Sequence, residues 1–180
     1  MAKSKISDLK KVLDELTEEE LKQEILKLYA KLPQVKDFYN QDFMSEDERQ
    51  EVLKGYKDKV YKQFWTSGGN PKGMINNTTI KGIISDYEKI ALFPYDVVDL
   101  LIYRVEVATD IADQFGGMAD SNYNASITAF KKAIKLIKDN NLMVHFQDRC
   151  KQILKADNLD YWYIEQLEYL FEGEEQGEGE

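Results

Sequence analysis

A chain of 180 residues that is 43% apolar, with 11 Tyr, 8 Phe and 2 Trp, can bury a sizeable core, and three prolines and ten glycines exclude a collagen-like or wholly disordered chain. The net charge of −9 is unevenly spread: residues 157–180 carry nine acids and no base, while residues 1–156 are charge-balanced. An acidic average therefore does not by itself exclude a nucleic-acid partner.

Nearly every segment repeats its apolar residues at the helical period. Leu9, Val12, Leu13 and Leu16 form the first stripe, behind a candidate cap at Ser7. Thr17 and Glu20 have capping-box spacing and open a second helix carrying Leu21, Ile25, Leu28, Tyr29 and Leu32, which Pro33 stops. VKDFYNQDFM predicts one or two further turns. Ser45 and Glu48 repeat the capping box, ahead of a helix with Leu53, Tyr56, Val60 and Phe64 on one face. Ile80, Ile83, Ile84, Tyr87 and Ala91 define the next helix, and Pro94 bars its continuation.

Residues 95–115 are apolar on two sides. Val97, Leu101, Val105, Ala108 and Ala112 cover one and Leu100, Tyr103, Val107 and Ile111 the other, which places this helix in the middle of its neighbours. GGMADSN ends it. Tyr123, Ile127, Phe130, Ile134 and Ile137 mark the following helix, which DNN closes, and Leu142, Phe146, Cys150, Ile153 and Leu154 mark another. A last, aromatic helix is expected near 159–171, before an acidic tail over 172–180 with no apolar residue. The pattern predicts an all-α domain over residues 1–171, an array of about eight helices in antiparallel hairpins, possible in solenoid-like form although no repeat period recurs.

One cysteine allows no internal disulfide, and MAKSKISDLKK lacks the apolar run of a signal peptide. Even DVVDLLIYRVEVATDIADQF is studded with charges. A cytoplasmic protein without a membrane span is expected.

Three stretches together resemble a known family: SDLKKVLDELTEEELKQEILKLYAKLPQVKDFY; PKGMINNTTIKGIISDYEKI followed by the L-x-Y-x-V-E of Leu101, Tyr103, Val105 and Glu106; and NYNASITAFKKAIKLIKDNNLMVHFQDRCKQIL, with F-x-x-R-C at Phe146, Arg149 and Cys150. They are similar to an uncharacterised bacterial family of small all-helical proteins, catalogued as a domain of unknown function, over residues 4 to about 170. The family usually has a more basic loop where this chain has mainly Lys72, and a Gly-Trp-Gly-like segment where it has DNLDYWY. The resemblance implies a helical fold and carries over no catalytic residue.

The glycine-rich loop WTSGGNPKGMINN invites comparison with a phosphate loop, but Met74 and Ile75 follow Gly73 where Lys and Ser or Thr are required, and no strand precedes it. It is read as a connector, with Lys72 available to an anion at the next helix N-terminus. Lys131, Lys132, Lys135 and Lys138 make a basic helix stripe, and Lys54, Lys57, Lys59, Lys62 and Lys72 a second basic neighbourhood. Convergence of the two would suit phosphates, though neither interleaves the aromatics or arginines that read bases. Glu106, Asp110 and Asp113 line up on the central helix without the Glu-x-x-His pairs of di-metal bundles, and are expected to face solvent or pair with Arg104 and nearby lysines. His145 and Cys150 lie about 140° apart around one helix, and Cys150 shares the apolar face of Phe146 and Ile153, as a buried structural thiol does.

No catalytic, cofactor or metal set can be assembled. The leading expectation is a non-enzymatic interaction or adaptor protein with a protein or peptide partner. Its candidate partner face is Tyr161, Trp162, Tyr163, Tyr169 and Phe171, which one helix cannot turn all to one side. The alternative is a nucleic-acid-associated protein using Lys72, Lys131, Lys132, Lys135 and Lys138, with the acidic tail as an autoinhibitory mimic of phosphate.

Overall fold

The computed structural model describes residues 6–156 and 158–173, with the side chains of 40–43 outside that description. It is all-α, with nine helices and one isolated bridge, Trp65 to Pro71, among the described residues. The expected acidic tail falls, from residue 174 onward, outside them. The chain groups into two compact units, residues 1–43 and 44–180.

The first unit holds α1 (Ile6–Asp14), α2 (Glu18–Lys31) and α3 (Pro33–Phe43). α1 already includes Ser7 in its first turn, so Ser7 is not its cap. Thr17 does cap α2: its hydroxyl accepts from the Glu20 amide at 3.3 Å, and the Glu20 carboxylate accepts from the Thr17 amide at 2.8 Å. Those bonds hold the Glu20 carboxyl below its ordinary range. Pro33 opens α3, whose eleven residues exceed the one or two turns expected; proline suits a first helical position, where its missing N–H costs nothing. No residue of α1 or α2 is buried. The stripe Leu9, Val12 and Leu13 is exposed, where helical period alone suggests a core face.

The second unit runs α4 (Glu46–Phe64), α5 (Asn77–Ile90), α6 (Pro94–Phe115), α7 (Asp120–Asp139), α8 (Met143–Leu154) and α9 (Tyr161–Glu172). Ser45 and Glu48 form the second capping box. The predicted face of α4, Leu53, Tyr56, Val60 and Phe64, is buried throughout. α6 stops where Gly116 takes a left-handed conformation at φ 74°. Helices pack against their neighbour or the one beyond: α4 on α5 and α6, α6 on α5, α7 and α8, and α7 and α8 on each other and on α9. That is the contact pattern of an array. α6 is its axis, burying Leu100, Leu101, Val105, Val107, Ala108, Ile111 and Ala112 from both predicted faces. No helix among the described residues is long and apolar enough to cross a membrane.

Candidate functional site

The aromatic helix divides its residues between core and surface. Tyr163 and Leu167 are buried, and the Tyr163 hydroxyl donates to Ser126 Oγ at 2.8 Å and lies 3.3 Å from Thr109 Oγ1. Tyr161, Trp162 and Tyr169 are exposed and Phe171 is half-buried. Tyr163 thus fastens α9 to α6 and α7 and is withdrawn from the expected partner face.

The basic stripe of α7 is partly engaged by acids. Lys132 pairs with Glu88 on α5, and Lys135 with Asp139 at 3.3 Å, while Lys131 and Lys138 complete the row. Of the second basic neighbourhood, Lys57 pairs with Asp99 at 2.8 Å and Lys54 with Glu51 at 3.5 Å. Lys72 donates to the Lys62 carbonyl at 2.5 Å, across the loop that starts at Trp65. The loop also closes on itself, through Thr66 N–H to the Asn70 carbonyl and Lys72 N–H to the Phe64 carbonyl, at 2.8 and 2.7 Å. These bonds fold the loop back on the C-terminal end of α4.

Of the α6 carboxylates, Asp110 is exposed as expected, while Glu106 finds a different partner. Glu106 does not pair with Arg104; it is held by Arg149 of α8, through Nε at 2.7 Å and Nη2 at 2.8 Å. Arg149 Nη1 reaches Asp99 at 2.5 Å. Asp113 accepts from the Asn158 amide at 3.0 Å. Among the described residues no three His, Cys, Asp or Glu side chains converge as metal ligands do. Cys150 is fully buried, and burial pushes its thiol up to about 12.

Arg104 is the residue whose surroundings the sequence did not reveal. It is 2% exposed and makes no ion pair among the described residues. Its Nη2 donates to Asn77 Oδ1 at 3.2 Å and to the Asn122 carbonyl at 3.5 Å, the guanidinium sits 5.8 Å from the Phe64 ring centre, and Nη1 is buried with no partner. Desolvation draws its pKa down to about 10, which leaves it a cation at neutral pH.

Arg104 lines a cleft of about 580 Å³. Its floor is Leu101 and Arg104 of α6, and its walls are α5 (from Asn77 to Glu88) and α7 (Ala125, Thr128, Ala129 and Lys132). The α7 wall residues fall at i, i+3, i+4 and i+7, one helical face, and three of them are small. α5 and α7 are tied across the cleft by Asn77 Nδ2 donating to Asn122 Oδ1 at 2.6 Å, and by the Lys132–Glu88 pair. The signal for this site was present as an arginine amid the apolar run LLIYRVEV, with asparagines at 77 and 122, but helical period alone cannot say which faces oppose one another.

No curated protein and no solved structure shows a significant match to the chain. One sequence-family model does match, over residues 2–172. The chain belongs to that family, the family of unknown function DUF6155.

Proposed function

We propose that the chain is a non-catalytic interaction protein that docks a protein partner through the apolar stripe of its first two helices. The reading is supported by one observation above all: α1 and α2 carry apolar residues at helical period yet bury none of them. Helices of nine and fourteen residues are marginal in water by themselves, and an amphipathic helix gains its stability by covering its apolar face. Each large side chain on that face gains about 1.5–3 kcal/mol when a partner buries it fully. Tyr161, Trp162 and Tyr169 offer a second exposed surface of the amphipathic type that interfaces favour. The single, buried cysteine is in keeping with a reducing, cytoplasmic setting. With Lys132 and Lys135 already engaged by acids, no specific observation favours a phosphate-binding role for α7.

Photo-crosslinking in the native cell tests the reading. A photoreactive residue at Leu9 or Leu13 is expected to label the same protein, and one at Lys11 on the opposite face to label nothing in common with them. The labelled protein, once purified, should bind the full chain and lose at least a hundredfold in affinity for the Leu9→Asp, Leu13→Asp double variant. Crosslinks from Leu9 and Leu13 solely to the chain itself, or to nothing, would overturn the proposal.

A further inference from the structure

We propose that the cleft between α5 and α7 is a binding site for a small monocarboxylate with an apolar body, whose carboxylate is taken by the guanidinium of Arg104. This site is independent of the stripe on α1 and α2.

A buried arginine is stable in a protein when an anion answers it, and two neutral carbonyl oxygens and an aromatic ring do not neutralise Arg104. An anion at the buried, unpartnered Nη1 would complete both its charge and its hydrogen bonding. The asparagine pair at 77 and 122 fixes the guanidinium from its Nη2 side, so the group is held in place before any ligand arrives.

The rest of the cleft selects the body of the ligand. Ile80, Ile84, Leu101, Ala125 and Ala129 line it with hydrocarbon, and the small residues of α7 preserve its volume of about 580 Å³. Cavities of this size, mostly apolar with a few fixed polar groups, suit small molecules. Charge balance selects the headgroup. Lys132 is already matched by Glu88 and Lys81 is exposed, so one buried positive charge remains. A monoanion balances it, whereas a dianionic phosphate would carry an excess negative charge into a low-dielectric site.

Isothermal titration of the full chain with octanoate, octanol, octylamine and inorganic phosphate provides the test. Octanoate is expected to bind one per chain and at least tenfold tighter than octanol, with no binding of octylamine or phosphate. Arg104→Met should abolish the preference for octanoate over octanol while the ligand-free melting temperature holds or rises, because an unanswered charge has left the interior. Ala129→Phe fills the cleft from the opposite wall with Arg104 intact, and should abolish octanoate binding even if the Arg104 variant fails to fold. The proposal is overturned by an absence of octanoate binding to the unmodified chain, by octanol or phosphate binding as tightly as octanoate, or by octanoate binding that survives Ala129→Phe.

Discussion

Arg149 of α8 grips Glu106 of α6 through two roughly parallel N–H···O bonds of 2.7 and 2.8 Å, and with its remaining nitrogen holds Asp99, about two α6 turns away. Lys57 of α4 takes the other oxygen of Asp99, so one network joins three helices. A guanidinium is suited to this fork, and an ammonium is not. Replacing Arg149 by Met leaves two part-buried carboxylates with Lys57 as their cation. Discounted for side chains that are 28–29% exposed at Glu106 and Arg149, the loss is about 2 kcal/mol. Arg149→Lys should recover less than half of it. Urea unfolding of the two variants measures both values, and equal stability of Arg149→Lys and the parent would remove the bidentate argument.

Cys150 next to this arginine should be chemically silent. Burial raises its thiol to about 12 from an ordinary 9, so at pH 8 the native protein presents almost no thiolate. Modification by a disulfide reagent is expected to follow the rate of unfolding rather than reagent concentration. The linkage has a definite sign. The unfolded chain loses this proton near pH 9 and the folded chain keeps it to about 12, so the unfolded state binds fewer protons in that window and stability falls as pH rises through it. The slope from one such group is at most about 1.4 kcal/mol per pH unit. Cys150→Ala should flatten the stability curve above pH 9 and leave it unchanged in shape below; an unaltered alkaline slope would refute the assignment.

What the sequence disclosed and what it withheld divide along a physical line. Both capping boxes were legible because each is decided by residues three apart, Thr17 with Glu20 and Ser45 with Glu48. The core faces of α4 and α6 were legible because helical period sorts residues by side. The same period on α1 and α2 marked a face as apolar without saying that anything covers it. The cleft was illegible for a related reason. Arg104 and Glu106 are two residues apart and project on different sides of α6, so their closeness in sequence suggested a pairing that the fold replaces with Arg149, 43 residues away from Glu106. Proline and glycine signals placed the helix ends well, yet could not foresee that Pro33 begins a helix as well as ending one.

Two glycines make opposite predictions from similar open surroundings. Gly116 ends α6 at φ 74°, and nothing lies within 4 Å of a Cβ added there. The cost of Gly116→Ala is therefore conformational, about 1 kcal/mol. Gly82 sits inside α5, also with nothing within 4 Å of an added Cβ. There the methyl group meets no obstacle and reduces the freedom of the unfolded chain, so Gly82→Ala should stabilise by about 0.5–1 kcal/mol. Thermal unfolding of the two variants should move in opposite directions.

The Tyr163 hydroxyl is the polar rivet of α9. It lies among groups that are all but inaccessible to water, between Ser126 Oγ at 2.8 Å and Thr109 Oγ1 at 3.3 Å, with its ring 4.7 Å from that of Tyr123. Tyr163→Phe keeps the ring contacts and strands two buried hydroxyls, a loss of about 1–2 kcal/mol. Ser126→Ala on its own leaves the tyrosine its bond to Thr109 and should cost less. If the Tyr163–Ser126 bond is the interaction lost in each, adding Ser126→Ala to Tyr163→Phe should cost little further, giving a coupling energy of about 1 kcal/mol in the double-mutant cycle. Strictly additive losses would mean that the two hydroxyls act separately and that α9 is held by its apolar contacts alone.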